Sequence, residues 1–146
     1  MVRPPAIYGP GDMEMLDIFK MAKTGVMLMP PAGHMSVIHA ADLSRLLLAL
    51  SAPGAASSAI LEADDARPDG WTHKEFAHAV ADAMGRRAFI ISTPRPILKL
   101  GTAIDSLLRG DRAKLTPDRV NYFCHPDWRV TPQKRPLSSL WTPQID

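Results

Sequence analysis

Short extended runs and helical runs alternate along this chain, and that alternation limits its fold more than any single motif does. Val2–Ile7 is extended, because each proline pushes the residue before it toward β or polyproline geometry. Tyr8-Gly9-Pro10-Gly11-Asp12 is a turn cluster. From Met13 to Lys23 the apolar positions Met15, Leu16, Phe19 and Ala22 recur at helical spacing, and Gly25 closes that helix. Val26–Met29 and Ser36–His39 read as short strands, and Asp42–Leu50 as a helix with Leu43, Leu46, Leu47 and Leu50 on one face. After the loop Pro53–Ser58, Ala59–Glu62 reads as a strand. Thr72-His73-Lys74-Glu75 is a capping box opening a helix that runs through Met84 to Gly85. Ala88–Ser92 is a β-type run, Pro96 opens a helix over Ile97–Leu108, and Thr116-Pro117 caps another over Asp118–Phe123. Pro132–Leu140 reads as a short helix or turn. The pattern is α/β or α+β, with no internal repeat and no convincing linker, so one domain is expected.

At 146 residues the chain can bury a core without metals or disulfides. No apolar run approaches the roughly 18–20 residues of a spanning helix, and no apolar stretch follows Arg3 to make a signal peptide. One cysteine, Cys124, precludes an internal disulfide and fits a reducing cytoplasm. Charge is uneven: residues 1–84 hold 6 Lys and Arg against 10 acids, residues 85–146 hold 11 against 5. The basic half includes Arg86, Arg87, Arg109, Arg112, Lys114, Arg119, Arg129, Lys134 and Arg135. They are scattered, without interleaved aromatics, so they read as a solvated surface with cations at helix C-termini, not a nucleic-acid face.

The chemistry-bearing residues assemble no complete active site. Gly9-Pro10-Gly11 has too few glycines for a dinucleotide loop, and Pro10 lacks one of the N–H groups a phosphate cradle uses. His73 and His78, five apart, lie roughly 140° apart around a helix and share no face. No metal site is expected, since there is no cysteine pair and Cys124-His125 adjacency is poor ligand geometry. Beside Tyr122 and Phe123, Cys124 reads as structural, and His125-Pro126-Asp127-Trp128 as a turn pinned by a buried indole.

Val2-Arg3-Pro4-Pro5-Ala6-Ile7-Tyr8-Gly9-Pro10-Gly11-Asp12 resembles the RPxxVYGPGD stretch of the extended short-chain dehydrogenase/reductases, the NAD-dependent epimerase/dehydratase family. Further segments resemble that family in its own order. They are Val37-Ile38-His39-Ala40-Ala41-Asp42-Leu43, the strand Ala59-Ile60-Leu61-Glu62, Gly70-Trp71-Thr72 with its capped helix, and Met84-Gly85-Arg86. Thr93-Pro94-Arg95-Pro96, Leu115-Thr116-Pro117 and His125-Pro126-Asp127-Trp128 resemble an uncharacterised bacterial branch of it. The ordered set spans essentially all 146 residues.

The resemblance implies a C-terminal remnant of a Rossmann-like fold: the last sheet strands plus the small α/β substrate lobe, over residues 1–146. It implies Pro4, Pro5, Ala6 and Ile7 beside a nicotinamide, and Tyr8, Gly9, Gly11 and Asp12 facing substrate. His39 and Asp42 match positions weighted toward structure, with Asp42 helping to start the leucine-rich helix. The family's glycine-rich loop and its Tyr-x-x-x-Lys pair are both missing: Tyr8 is followed four later by Asp12, and Tyr122 by Pro126. No catalytic residue is therefore assigned. The complete relative is expected to use NAD or NADP on a small substrate such as a nucleotide-sugar or another hydroxy or keto compound. This chain alone is expected to bind no cofactor and to be a truncated piece or remnant lacking the N-terminal dinucleotide-binding half. It is expected to be cytoplasmic, with no nucleic-acid or membrane partner. A homo-oligomer or a complementary chain is expected as partner, and the alternative reading is a small interaction protein that pairs through an exposed sheet edge with itself or with a separate cofactor-binding chain.

Overall fold

The prolines of the first segment hold back the first strand, which begins only after Pro5. The computed structural model describes residues 1–54, 59–110 and 116–145. In chain order its elements are β1 (Ala6–Tyr8), α1 (Met13–Thr24), β2 (Val26–Met29), β3 (His34–Met35), β4 (Val37–His39) and α2 (Ala40–Ser51). Then follow β5 (Trp71–Thr72), α3 (His73–Ala83), β6 (Phe89–Ser92), α4 (Arg95–Arg109), α5 (Pro117–Phe123), β7 (Asp127–Trp128) and a 3-10 turn at Pro132–Lys134. Residues 55–58 of the expected loop, and Arg112, Lys114 and Leu115, lie outside the described residues. The chain divides into two units, one of residues 1–17, 34–71 and 128–146, the other of residues 18–33 and 72–127.

In the first unit β1 and β4 pair in parallel, with Ala6 opposite Val37, Ile7 opposite Ile38 and Tyr8 opposite His39. Upstream, the Arg3 N–H donates to the Leu61 carbonyl at 2.8 Å and the Leu61 N–H donates to the Met1 carbonyl at 2.9 Å. The strand expected at Ala59–Glu62 is reduced to that one bridge, Val2 with Leu61. The Asp65 N–H turns away to the Val37 carbonyl instead. Ile38, Leu46 and Ala63 form the buried core, with Val2, Leu43, Leu50 and Trp141 packed against it. Trp128 is exposed, not the buried pin expected, and its carbonyl accepts the Ser36 N–H at 3.2 Å.

The second unit has the same logic on a different pair. β2 and β6 run parallel, Val26 opposite Phe89 and Leu28 opposite Ile91. α3 packs on both strands. Its buried Phe76, Ala77, Val80 and Ala81 lie on the stripe that helical periodicity predicts, and Met27 and Met29 are buried too. The capping box forms as read: Thr72 Oγ1 accepts the Glu75 N–H at 3.1 Å, and the Thr72 N–H donates to Glu75 Oε2 at 2.9 Å. Thr116 caps α5 by accepting from Arg119, with Pro117 at the first helical position. α5 packs on α4, and Arg95 donates to Asn121 Oδ1 at 2.7 Å. Cations at helix C-termini are realised at Lys23 of α1 but not in the last turns of α2, α3 or α5.

Candidate functional site

A parallel strand pair brings two carboxy ends to one edge, the place where open α/β sheets take their ligands. Here the edge is built by Tyr8 and His39, opposite one another at the ends of β1 and β4. Their rings meet edge to face, with centroids 5.2 Å apart. His39 is also the N-cap of α2, its Nδ1 accepting the Ala41 N–H at 3.2 Å. In the neutral ring the proton therefore sits on Nε2. That nitrogen faces Gly9: a Cβ added there would lie 3.3 Å from it and 3.2 Å from the Ala40 Cβ. With φ at +152°, Gly9 occupies a conformation and a space that no side chain fits well.

The turn that follows does not form a phosphate cradle. The Asp12 N–H donates to the Gly9 carbonyl at 3.2 Å, and the Asp12 carboxylate accepts the Met15 N–H at 3.1 Å, capping α1. A carboxylate thus already holds the helix N-terminus, and it repels an incoming phosphate. Of the eight residues expected at the site, Pro5, Ala6, Tyr8, Gly9 and Asp12 are half-buried, while Pro4, Ile7 and Gly11 are exposed. β1 and the turn after it gather them into one continuous stretch of the first unit.

Several acids of this unit were not legible as a group. Asp42 is fully buried, and besides Arg45 its carboxylate accepts the Gln144 and Ile145 N–H groups, each at 3.0 Å. It lies in the first turn of α2, as expected, but His39 is the residue that caps the helix. Glu62 accepts the Thr131 N–H at 2.8 Å and Lys134 Nζ at 3.1 Å. The Thr131 amide, more than Lys134, holds the Glu62 carboxyl below its ordinary range of 4.5, with burial pulling the other way. Asp64 accepts Ser36 Oγ at 2.9 Å and Arg135 Nη2 at 2.7 Å. The Trp71 indole N–H donates to Asp65, and Arg67 stacks over the Trp71 ring at 3.8 Å. The sequence signal was an acidic Glu62–Asp65 run and a basic Lys134-Arg135 pair about 70 residues on, with no periodicity to join them. A cavity of about 130 Å³ beside Asp64, Arg135 and Trp141 is too small for a nucleotide or a sugar. Among the described residues no cluster of three or more His, Cys, Asp or Glu could hold a metal ion.

No family model matches the chain. It is 32% identical over 143 residues to a ceramide reductase of Caulobacter vibrioides, a match covering 94% of this chain and 44% of that protein. Among solved structures it superposes on human epimerase family protein SDR39U1 (isoform 2) with NADPH, at a TM-score of 0.63 and 24% identity. That match covers 91% of this chain and 40% of the human one. The chain has the fold of the C-terminal part of an epimerase-family protein. MoeE5, solved with UDP-glucuronic acid and NAD, shares this epimerase-type fold at a TM-score of 0.55 and 15% identity, over 99% of this chain and 42% of that one. The chain thus spans less than half the length of each of these relatives. The mixed α/β architecture expected from the alternation is the one observed.

Proposed function

We propose that these 146 residues form the substrate-side part of an NAD(P)-dependent reductase of the epimerase/dehydratase type, with a ceramide-class lipid as the substrate of the whole protein. The observation that carries this reading is the 32% identity, sustained over 143 residues, to a ceramide reductase. In this reading Pro4, Pro5, Ala6 and Ile7 border the nicotinamide, while Tyr8, Gly9, Gly11 and Asp12 line the substrate side, with His39 Nε2 directed at the same edge. Hydride chemistry would come from the cofactor. The residues of this chain would shape the pocket and orient the reacting group, and none acts as general acid or base, because the Tyr-x-x-x-Lys pair lies elsewhere. The chain alone is inactive in this reading, and cytoplasmic.

Isothermal titration of the chain with NADH, NADPH and a short-chain ceramide tests the division of labour. Ceramide binding without cofactor binding supports it. Micromolar binding of either nicotinamide overturns it, since Asp12 would then have to tolerate a phosphate nearby. Substituting Gly9→Val removes ceramide binding if the turn lines the pocket.

A second reading is favoured by the β2–β6 pair, whose Val26, Leu28, Phe89 and Ile91 share one exposed apolar face. A two-stranded parallel ladder open on one face is rare on its own. The chain then pairs with a copy of itself or with a complementary cofactor-binding chain. Light scattering that shows a stable monomer, and no association with a cofactor-binding half, excludes it.

A further inference from the structure

The fold fixes the tautomer of His39, and that leaves a hydrogen-bond donor at the strand edge with nothing to bond. The Ala41 N–H donates to Nδ1 at 3.2 Å, so the neutral ring carries its proton on Nε2. Among the described residues Nε2 has no hydrogen-bond partner. The ring cannot turn over without uncapping α2, and Tyr8 braces it through the edge-to-face contact. A side chain at residue 9 would stand before Nε2, with its Cβ 3.3 Å away, whereas Gly9 leaves the approach open.

We propose that His39 Nε2–H donates a hydrogen bond to an uncharged hydroxyl or carbonyl oxygen of the substrate, and so selects a neutral polar head over a phosphate-bearing one. The donor stands at the carboxy ends of two parallel strands, where open α/β sheets gather their ligands. Its direction is set before any ligand arrives, by the cap on one side of the ring and Tyr8 on the other, so binding orders little that is not already ordered. The charge of the neighbouring turn decides the acceptor. The Asp12 N–H bonds the Gly9 carbonyl, which places the Asp12 carboxylate in the same turn, and a second anion there is repelled. Between Arg3 and Lys20 the chain has no cation to offset that charge, and Arg45 on α2 is taken up by buried Asp42. A neutral oxygen accepts from a neutral N–H without that repulsion. The inference rests on the reductase reading of this edge and narrows its substrate: a ceramide offers hydroxyl and amide oxygens, a nucleotide-sugar a pyrophosphate.

A pair of substitutions separates donation from capping. In His39→Asn the side-chain oxygen still caps α2 but nothing reaches the place of Nε2, while in His39→Gln the amide NH2 reaches that place and the cap is lost. Isothermal titration of the chain with a short-chain ceramide, with UDP-glucuronic acid as the anionic control, is read beside a thermal melt of each variant. His39→Asn is expected to weaken ceramide binding about fivefold at an unchanged melting temperature. His39→Gln is expected to keep the affinity within about twofold while its melting temperature falls by about 3 °C. UDP-glucuronic acid is expected not to bind. Equal ceramide affinity in the wild type and His39→Asn overturns the inference and leaves the reductase reading standing. Affinity that follows the melting temperature, lower in His39→Gln than in His39→Asn, makes His39 a cap alone and overturns it too, as does binding of UDP-glucuronic acid that depends on His39. A wild-type chain that binds no ceramide overturns the reductase reading and this inference with it.

Discussion

α2 and α4 are both leucine-rich amphipathic helices, yet they use their leucines in opposite ways. α2 follows β4 without a loop, so His39 can both end the strand and cap the helix. This junction turns Leu46 into the core with Ile38 and Ala63, while Leu43 and Leu50 pack around it. α4 has the more regular apolar stripe, with Leu100, Leu107 and Leu108 exposed, but its buried side is the one bearing Thr102 and the half-buried Leu98, and its bond to α5 is made by Arg95 to Asn121. Periodicity therefore reports that a face exists. What covers the face depends on which neighbour the chain brings to it.

Truncating the two helices should separate them sharply. Leu46→Ala removes a fully buried side chain and is expected to cost about 3 kcal/mol of unfolding free energy in urea titration; Leu107→Ala on α4 anchors the other end of the scale, below about 0.5 kcal/mol. Equal losses would show that α4 is covered within the chain and would erase the contrast. Next in size is Asp42→Ala. It orphans the Gln144 and Ile145 N–H groups and is expected to cost about 2 kcal/mol, with faster hydrogen exchange at those two amides as its signature.

Glu62 sharpens the comparison through pH. Its folded carboxyl titrates below 4.5, so the stability it contributes is present above that value and is lost as pH falls through the depressed folded one. Glu62→Gln should flatten the fall in urea stability between about pH 6 and about pH 3; a wild-type slope in the variant would remove Glu62 from the account. In the second unit the local device is the capping box. Thr72→Ala should cost about 1 kcal/mol, read by thermal unfolding followed at the helical circular-dichroism band.

The legible part of the fold was what neighbouring residues decide among themselves. Thr72 with Glu75, Thr116 with Pro117, the apolar stripe of α3 and the β-type run at Phe89–Ser92 all stand where local chemistry puts them. Ala59–Glu62 misled, because its apolar content is that of a strand while its amides turn to Met1 and Lys134 and leave one bridge. Trp128 misled for a similar reason: an indole beside a proline turn reads as a pin, but nothing local dictates its burial. At the candidate site the turn from Tyr8 to Asp12 was readable from its glycines and proline. The meeting of Tyr8 with His39 was not, being fixed by strand register across about 30 residues.

By itself the sequence determined the succession of helices with the strands β1, β2, β4 and β6, their caps and breaks, and the likeness to the epimerase/dehydratase family, since these depend on residues within a few positions of one another, whereas the short β3, β5 and β7 depend on distant partners. Only the tertiary structure decided which acid meets which partner. Asp42 reaches Gln144 and Ile145, Glu62 reaches Thr131 and Lys134, and Asp64 reaches Arg135. A hydrogen bond or ion pair between residues 70 or 100 positions apart leaves no periodic trace in the chain. It exists because burial removes water from both partners and leaves each the other's best available partner.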